Sequence, residues 1–281
     1  MEKMPDWHEE LHSAMQLLED GHPVNCLAAL HAMLQDHGSD DLCRAMVFDG
    51  MGRALFMEQK PDLGLEAFNE SLNIMRKLHA DGKIGLPLLL GSLQNLTHAD
   101  MVAGKFDASL KTGGEALELA KKELPVNDPE IARVLFTLSA PYYEMKDYQA
   151  AEDCLLEAKK ILEEQPGDPD PQIGTILNNL GRIYEERNEL KHGIDYHRRA
   201  VEFRRKMPDK ADLAFSLGNY GVALGTDGQL AQASAALREA QVIYAALGLA
   251  DTPEAQAFEK NLELFENVLN NPRPNEEQPH D

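Results

Sequence analysis

Residues 177–184 read Leu177-Asn178-Asn179-Leu180-Gly181-Arg182-Ile183-Tyr184, and forty residues later residues 217–224 read Leu217-Gly218-Asn219-Tyr220-Gly221-Val222-Ala223-Leu224. Each stretch is followed by a second segment with residues at fixed offsets: the small Ala200 after the first, and the small Ala233 and Ala240 with the large Leu237 between them after the second. Small residues at such fixed places let paired helices approach closely, while the Leu and Tyr positions fill the space between neighbouring pairs. With Gly181 and Gly221 as anchors, the same register falls on Ala14, Gly52, Thr97 and Ser139 and then on Glu263, at spacings of 38, 45, 42, 42, 40 and 42 residues. Ala151, Leu155 and Ala158 repeat the second-helix pattern of Ala233, Leu237 and Ala240. A period of this kind spells a repeat architecture in which each unit buries its apolar side against the next.

The template, a large residue, Leu-Gly three positions on, Tyr three further, then a helix with Ala, a large residue and Ala, resembles the tetratricopeptide repeat. A period near 42 rather than 34 implies helices of about 16 to 18 residues by the same template, and in that respect the chain is similar to the kinesin light chain type of array. The resemblance implies an all-α fold, a right-handed superhelical α-solenoid of antiparallel helix pairs. The expected pairs span residues 7–36, 40–80, 86–124, 128–164, 170–206 and 209–248 of a single array over residues 1–270. Asp128-Pro129-Glu130, Asp168-Pro169-Asp170 and Thr252-Pro253-Glu254 each offer a cap, a proline and a first-turn acid for a helix start. Pro141, inside the first helix of the fourth pair, is expected to kink it.

The charged Glu263 at the last anchor marks the end of the array. Residues 252–270 then read as a capping helix with Phe258, Leu262, Phe265 and Leu269 on one stripe. Residues 271–281 are expected to form a disordered acidic tail, too poor in apolar groups to order itself.

Composition narrows the function. With 48 acidic against 27 basic residues the net charge is -21, which repels phosphate backbones and anionic lipid, so neither nucleic acid nor membrane is an expected partner. No apolar run reaches the roughly 20 residues of a membrane helix, and Met1 to Asp6 lack a signal-peptide core. A cytoplasmic location follows as the expectation. Cys26, Cys43 and Cys154 are an odd set at unrelated spacings within helical patterns and read as reduced thiols in the core.

The resemblance also implies that the first helix of each pair lines a concave groove. Its groove positions hold Arg53, Asn95, His98, Arg133, Phe136, Tyr143, Asn179, Arg182, Phe215 and Asn219. Leu177 to Gly181 is similar to the Leu-Asn-Asn-Leu motif of kinesin light chain repeats, which adds Asn178 and implies cargo-facing asparagines. Amides that both donate and accept, guanidinium forks and aromatic rings suit an extended, acidic or aromatic-acidic peptide. The set of Lys, Asn and Arg that clamps a terminal carboxylate in chaperone-binding repeats is replaced by Phe136, Ala140, Asn179, Phe215 and Asn219. The expectation is therefore a non-catalytic interaction scaffold for a protein or peptide, without cofactor or metal. The alternative is a structural array that self-associates as a homo-oligomer.

His8-Glu9-Glu10-Leu11-His12 fits the His-Glu-x-x-His zinc-hydrolase pattern. A third ligand and a strand to present substrate are missing from the surrounding sequence, so this reading is the remote one.

Overall fold

The computed structural model describes residues 7–271, so all of the expected tail but Asn271 lies outside them. Among the described residues there are thirteen helices and no strand. In chain order they are α1 Trp7–Glu19, α2 Pro23–His37, α3 Asp41–Met57, α4 Pro61–Ala80, α5 Leu86–Val102, α6 Phe106–Glu123 and α7 Pro129–Glu144. They continue with α8 Tyr148–Glu163, α9 Gln172–Glu186, α10 Leu190–Arg204, α11 Lys210–Thr226, α12 Leu230–Ala246 and α13 Pro253–Asn270. The chain forms two compact units, one running to Ile161 and the other beginning at Leu162, so the division falls within α8.

All six anchors, Ala14, Gly52, Thr97, Ser139, Gly181 and Gly221, are buried. The two that depart from Gly or Ala satisfy their hydroxyls on the backbone: Thr97 Oγ1 donates to the Leu93 carbonyl at 2.8 Å and Ser139 Oγ to that of Phe136 at 2.6 Å. A polar side chain is thereby accommodated in a helix contact without an unmet hydrogen bond.

Seven residues after every anchor the chain turns through one left-handed residue: Gly21, Gln59, Gly104, Lys146, Asn188 and Gly228, with φ between 58° and 81°. The next amide in each case reaches back five residues, as Lys60 N–H does to Leu55 O at 2.9 Å and Glu189 N–H to Tyr184 O at 2.8 Å. This is the hydrogen bonding of a Schellman cap. Gln59 and Lys146 hold the left-handed conformation without glycine's freedom or asparagine's tolerance, at a cost of about 1 kcal/mol each.

Helix starts follow the caps read from sequence, with one correction. Asp128 accepts from Glu130 N–H and Thr252 from Ala255 N–H, but the helix expected to start at Asp168-Pro169-Asp170 begins only at Gln172, whose N–H donates to Asp170. Pro141 is buried and α7 runs on through it to Glu144.

In the first unit Trp7, Leu11, Cys26, Leu30, Cys43 and Val47 form the core of α1 to α3. In the second, α11, α12 and α13 pack through Leu217, Leu237, Tyr244, Phe258, Leu262 and Phe265. Leu269, expected on that buried stripe, is exposed instead, alongside Leu264 and Val268 on the open side of the last turns of α13.

Cys26 and Cys43 are buried and Cys154 partly so. Burial, reinforced by Asp40 and Glu10, pushes the Cys43 thiol up to about 11; burial with Glu157 and Asp153 does the same to Cys154 against the opposing pull of Lys121. Burial also raises Cys26. Because the thiolate is the reactive form, native protein is expected to react slowly with Ellman's reagent at pH 8, to speed up only as the pH nears 11, and to release three thiols at once on unfolding. Rapid native labelling of Cys43 at pH 8 would contradict this packing.

Candidate functional site

The polar wall of the first unit is built from side chains on α3, α5 and α7. Asp49 and Arg53 stand one helical turn apart on α3, and Arg53 Nε donates to Asp49 Oδ2 at 2.9 Å. From α5, Asn95 Nδ2 donates to the other carboxylate oxygen of Asp49 at 2.7 Å. Both oxygens of Asp49 are therefore engaged, while the Arg53 Nη groups and the Asn95 carbonyl oxygen remain able to donate and accept. Next along the wall, Gln94 Nε2 donates to Glu130 Oε1 at 3.3 Å, and Arg133 Nη1 donates to Glu130 Oε2 at 2.6 Å. Each of these arginines is paired with an acid of its own helix, a pairing of the kind worth a few tenths of a kcal/mol at a surface.

Two clefts flank the Asp49–Arg53–Asn95 cluster. The first, with a cavity volume of 260 Å³, is lined by Met15, Met46, Leu88 and Gly91 among others. The second, of 330 Å³, is lined by Phe56, Phe68, His98 and Val102. Arg53 and Asn95 border both. Each volume exceeds the ~150 Å³ that accommodates a benzene ring, so each can take one large apolar side chain.

Of the groove residues expected from sequence, Arg53, Asn95 and His98 come together here. Arg133 is exposed on α7, Phe136 is half-buried, and the Tyr143 ring lies edge-on to Tyr148 with centroids 5.6 Å apart. The others belong to α9 and α11 of the second unit. Arg182 is exposed and Asn179 half-buried. Phe215 is exposed at one edge of Phe258, 6.2 Å away, and Asn219 is half-buried with its amide nitrogen enclosed.

Asn178 is placed differently from the sequence expectation. It is only 4% exposed: Nδ2 donates to Ser216 Oγ at 2.9 Å, and Oδ1 lies 3.2 Å from His197 Nδ1. His197, itself buried, fits the space left by Gly181 and sets its other nitrogen 3.4 Å from Glu185. The amide thus joins α9, α10 and α11 from within and is not available to a ligand, because all its polar atoms are engaged.

Met15, Met46, Leu88, Phe68 and Gly91 were not among the residues expected from sequence to line a site, and neither was Asp49, the centre of the cluster. Two signals were present: the four-residue spacing of Asp49 and Arg53, and a glycine in the middle of a helix.

At the zinc-like motif, the His8 ring stacks on Trp7 with centroids 3.9 Å apart, Glu10 pairs with His37 at 3.3 Å, and His12 is exposed. Among the described residues no group of three or more His, Cys, Asp or Glu side chains is placed to hold a metal ion. None of the described helices is long and apolar enough to cross a membrane.

This repetition of antiparallel pairs and Schellman turns defines an all-α repeat array of the tetratricopeptide type. Residues 138–206 match the family model of the tetratricopeptide repeat. Among solved structures, the chain is similar to the putative kinesin light chain TPR-like repeats of Podosopora anserina, with 16% identity over 74% of this chain and 98% of that one and a TM-score of 0.61. It is also similar to the apo form of the quorum sensor NprR from B. thuringiensis, with 14% identity over 95% of this chain and 71% of that one and a TM-score of 0.65. A Rap protein complexed with competence and sporulation factor shares 15% identity over 94% of this chain and 76% of that one, with a TM-score of 0.60. No curated protein matches the chain by sequence.

Proposed function

We propose that the chain is a non-catalytic interaction scaffold that holds a segment of another polypeptide against the α3–α5 face of its first unit. The observation that carries this reading is the fixed Asp49–Arg53–Asn95 cluster, with unused donors and an unused acceptor, between two clefts of side-chain size. A peptide group offers one donor and one acceptor, and this cluster offers the complement. The fold is shared with a Rap protein solved with competence and sporulation factor bound, which supports a binding role for arrays of this build.

The charge of the segment is read differently from the sequence expectation. Because Arg53 and Arg133 are each paired with an acid, an acidic ligand would have to compete with Asp49 and Glu130. The wall favours backbone and apolar contacts over carboxylates.

A photo-crosslinking residue at His98, exposed beside the second cleft, is expected to give discrete polypeptide adducts in extracts of the source cell. The same residue at Lys111, exposed on α6, should not. Equal labelling at the two positions, or none at either, overturns the proposal.

A further inference from the structure

Gly91 lies in the middle of α5, where glycine costs about 1 kcal/mol relative to alanine. Most helical glycines of this chain are explained by a close neighbour: a Cβ on Gly52 would meet Phe68 at 2.8 Å, and one on Gly181 would meet His197 at 2.6 Å. A Cβ on Gly91 would meet nothing within 4 Å. No left-handed turn requires it either, since Gly91 is not among the residues of positive φ. Gly91 lines the first cleft, and what its missing side chain leaves open is that part of the cleft.

The two clefts follow one another along the same helices. On α5 the first is lined from Pro87 to Asn95 and the second from Asn95 to Val102. Their midpoints are about seven residues apart, or about 10 Å at 1.5 Å per residue. On α3 the linings run from Met46 to Arg53 and from Arg53 to Phe56, which gives about 8 Å. An extended segment of polyproline II form rises about 3.1 Å per residue with three residues per turn, so side chains i and i+3 share a face about 9 Å apart. A β-strand would put i and i+3 on opposite faces.

From this spacing we infer that the occupant is an extended, polyproline II-like segment with two large apolar side chains three positions apart. The first enters the cleft over Gly91 and the second enters the cleft of Phe56 and Phe68. The peptide group between them gives its carbonyl to Arg53 Nη and its N–H to Asn95 Oδ1. Asp49 fixes both partners beforehand, so the polar contact is ordered before the segment arrives. Charge on the segment contributes little, because the Asp49–Arg53 pair is already neutral.

This inference rests on the α3–α5 face being a polypeptide site, and the test separates the two. Fluorescein-labelled dodecapeptide pools carry either one leucine or two leucines at spacings of one, two, three or four, in an otherwise neutral Gly, Ser, Gln and Pro background. They are titrated against the full chain by fluorescence anisotropy. The spacing-three pool is expected to bind about tenfold or more tightly than the spacing-one and single-leucine pools, the order of effect for burying one more leucine. Gly91→Trp, whose side chain grows into open space, should reduce the spacing-three pool to the single-leucine level, with Gly91→Ala falling between it and the parent. Val102→Asp, at an exposed position bordering the second cleft, should do the same as Gly91→Trp from the other end, which keeps the test decisive if one variant folds poorly. Pools that bind without regard to spacing, or a folded Gly91→Trp that binds like the parent, overturn the two-cleft inference. If His98 still gives adducts in that case, the face remains a polypeptide site; with neither adducts nor pool binding, both readings fall.

Discussion

Phe258→Ala is expected to lower the stability of the second unit by about 3–5 kcal/mol, the cost of emptying a buried phenylalanine site. The ring lies within the α11–α12–α13 core, with Phe215 6.2 Å and Tyr244 6.5 Å away. Its floor is Gly218, where an added Cβ would stand 2.2 Å from the ring. Phe265 makes the same fit one heptad further on over Gly225, where an added Cβ would stand only 2.1 Å from the ring. Two rings over two glycines are therefore what seats α13. Gly218→Ala alone should cost about 1–3 kcal/mol by forcing the ring outward, despite alanine's better helix propensity. Gly218→Ala combined with Phe258→Leu should cost less than the two changes summed, by at least about 0.5 kcal/mol, since the smaller side chain makes room for the methyl group. Urea unfolding followed by circular dichroism, with amide exchange along α13, measures both. Additive losses would show that α13 does not depend on this contact.

The second large effect lies at the meeting of α9, α10 and α11. Arg204 is 3% exposed; its Nη2 donates to Thr175 Oγ1 at 2.8 Å and its Nη1 forms an ion pair with Asp212, while Nε is enclosed against Gly174 without a partner. Asp212 keeps 46% of its side chain in solvent. The two partners are therefore unequal. Removing the acid strands a buried guanidinium on a single hydroxyl, so Asp212→Ala is expected to destabilise by about 3 kcal/mol, the lower end for a broken buried pair because solvent reaches this one. Arg204→Met keeps most of the volume and removes the buried charge, and should cost less than Asp212→Ala. Chemical denaturation of the two single variants and the double variant decides it. A larger loss for Arg204→Met would mean that the guanidinium is held mainly by packing.

The fold was legible because its determinants are local and repeated. Ala14, Gly52, Gly181 and Gly221 announce close helix contact by their size alone, and Thr97 and Ser139 fit because a hydroxyl can bond back to its own helix. The site was less legible, because it depends on pairs far apart in sequence. Asn178 and Asn179 are adjacent and chemically identical, yet only Asn178 has Ser216 and His197 opposite it, and those partners draw it inside. The character of Arg53 was hidden in a similar way: its charge is visible in sequence, but the cluster is completed by Asn95 from a different repeat. Leu269 was misplaced by extending a stripe to the last turn of α13, where among the described residues that face stays exposed.

The turns described above also say where such a chain can change its length. From anchor to left-handed residue is always seven positions, and from anchor to a buried second-helix position is always nineteen: Ala14 to Met33, Gly52 to Ser71, Thr97 to Ala116, Ser139 to Ala158, Gly181 to Ala200 and Gly221 to Ala240. All the irregularity of the period, from 38 to 45, therefore falls between that point and the next anchor. Each hairpin is a fixed joint, and the stretch that leads to the next one is its adjustable spacer. An inserted residue in a hairpin would rotate a whole helix off its partner, whereas the same insertion at the connection after Ala80 or Arg204 only lengthens a loop. Natural or engineered growth of this array is thus confined to one kind of segment, and the proposed binding face on the first helices is insulated from it.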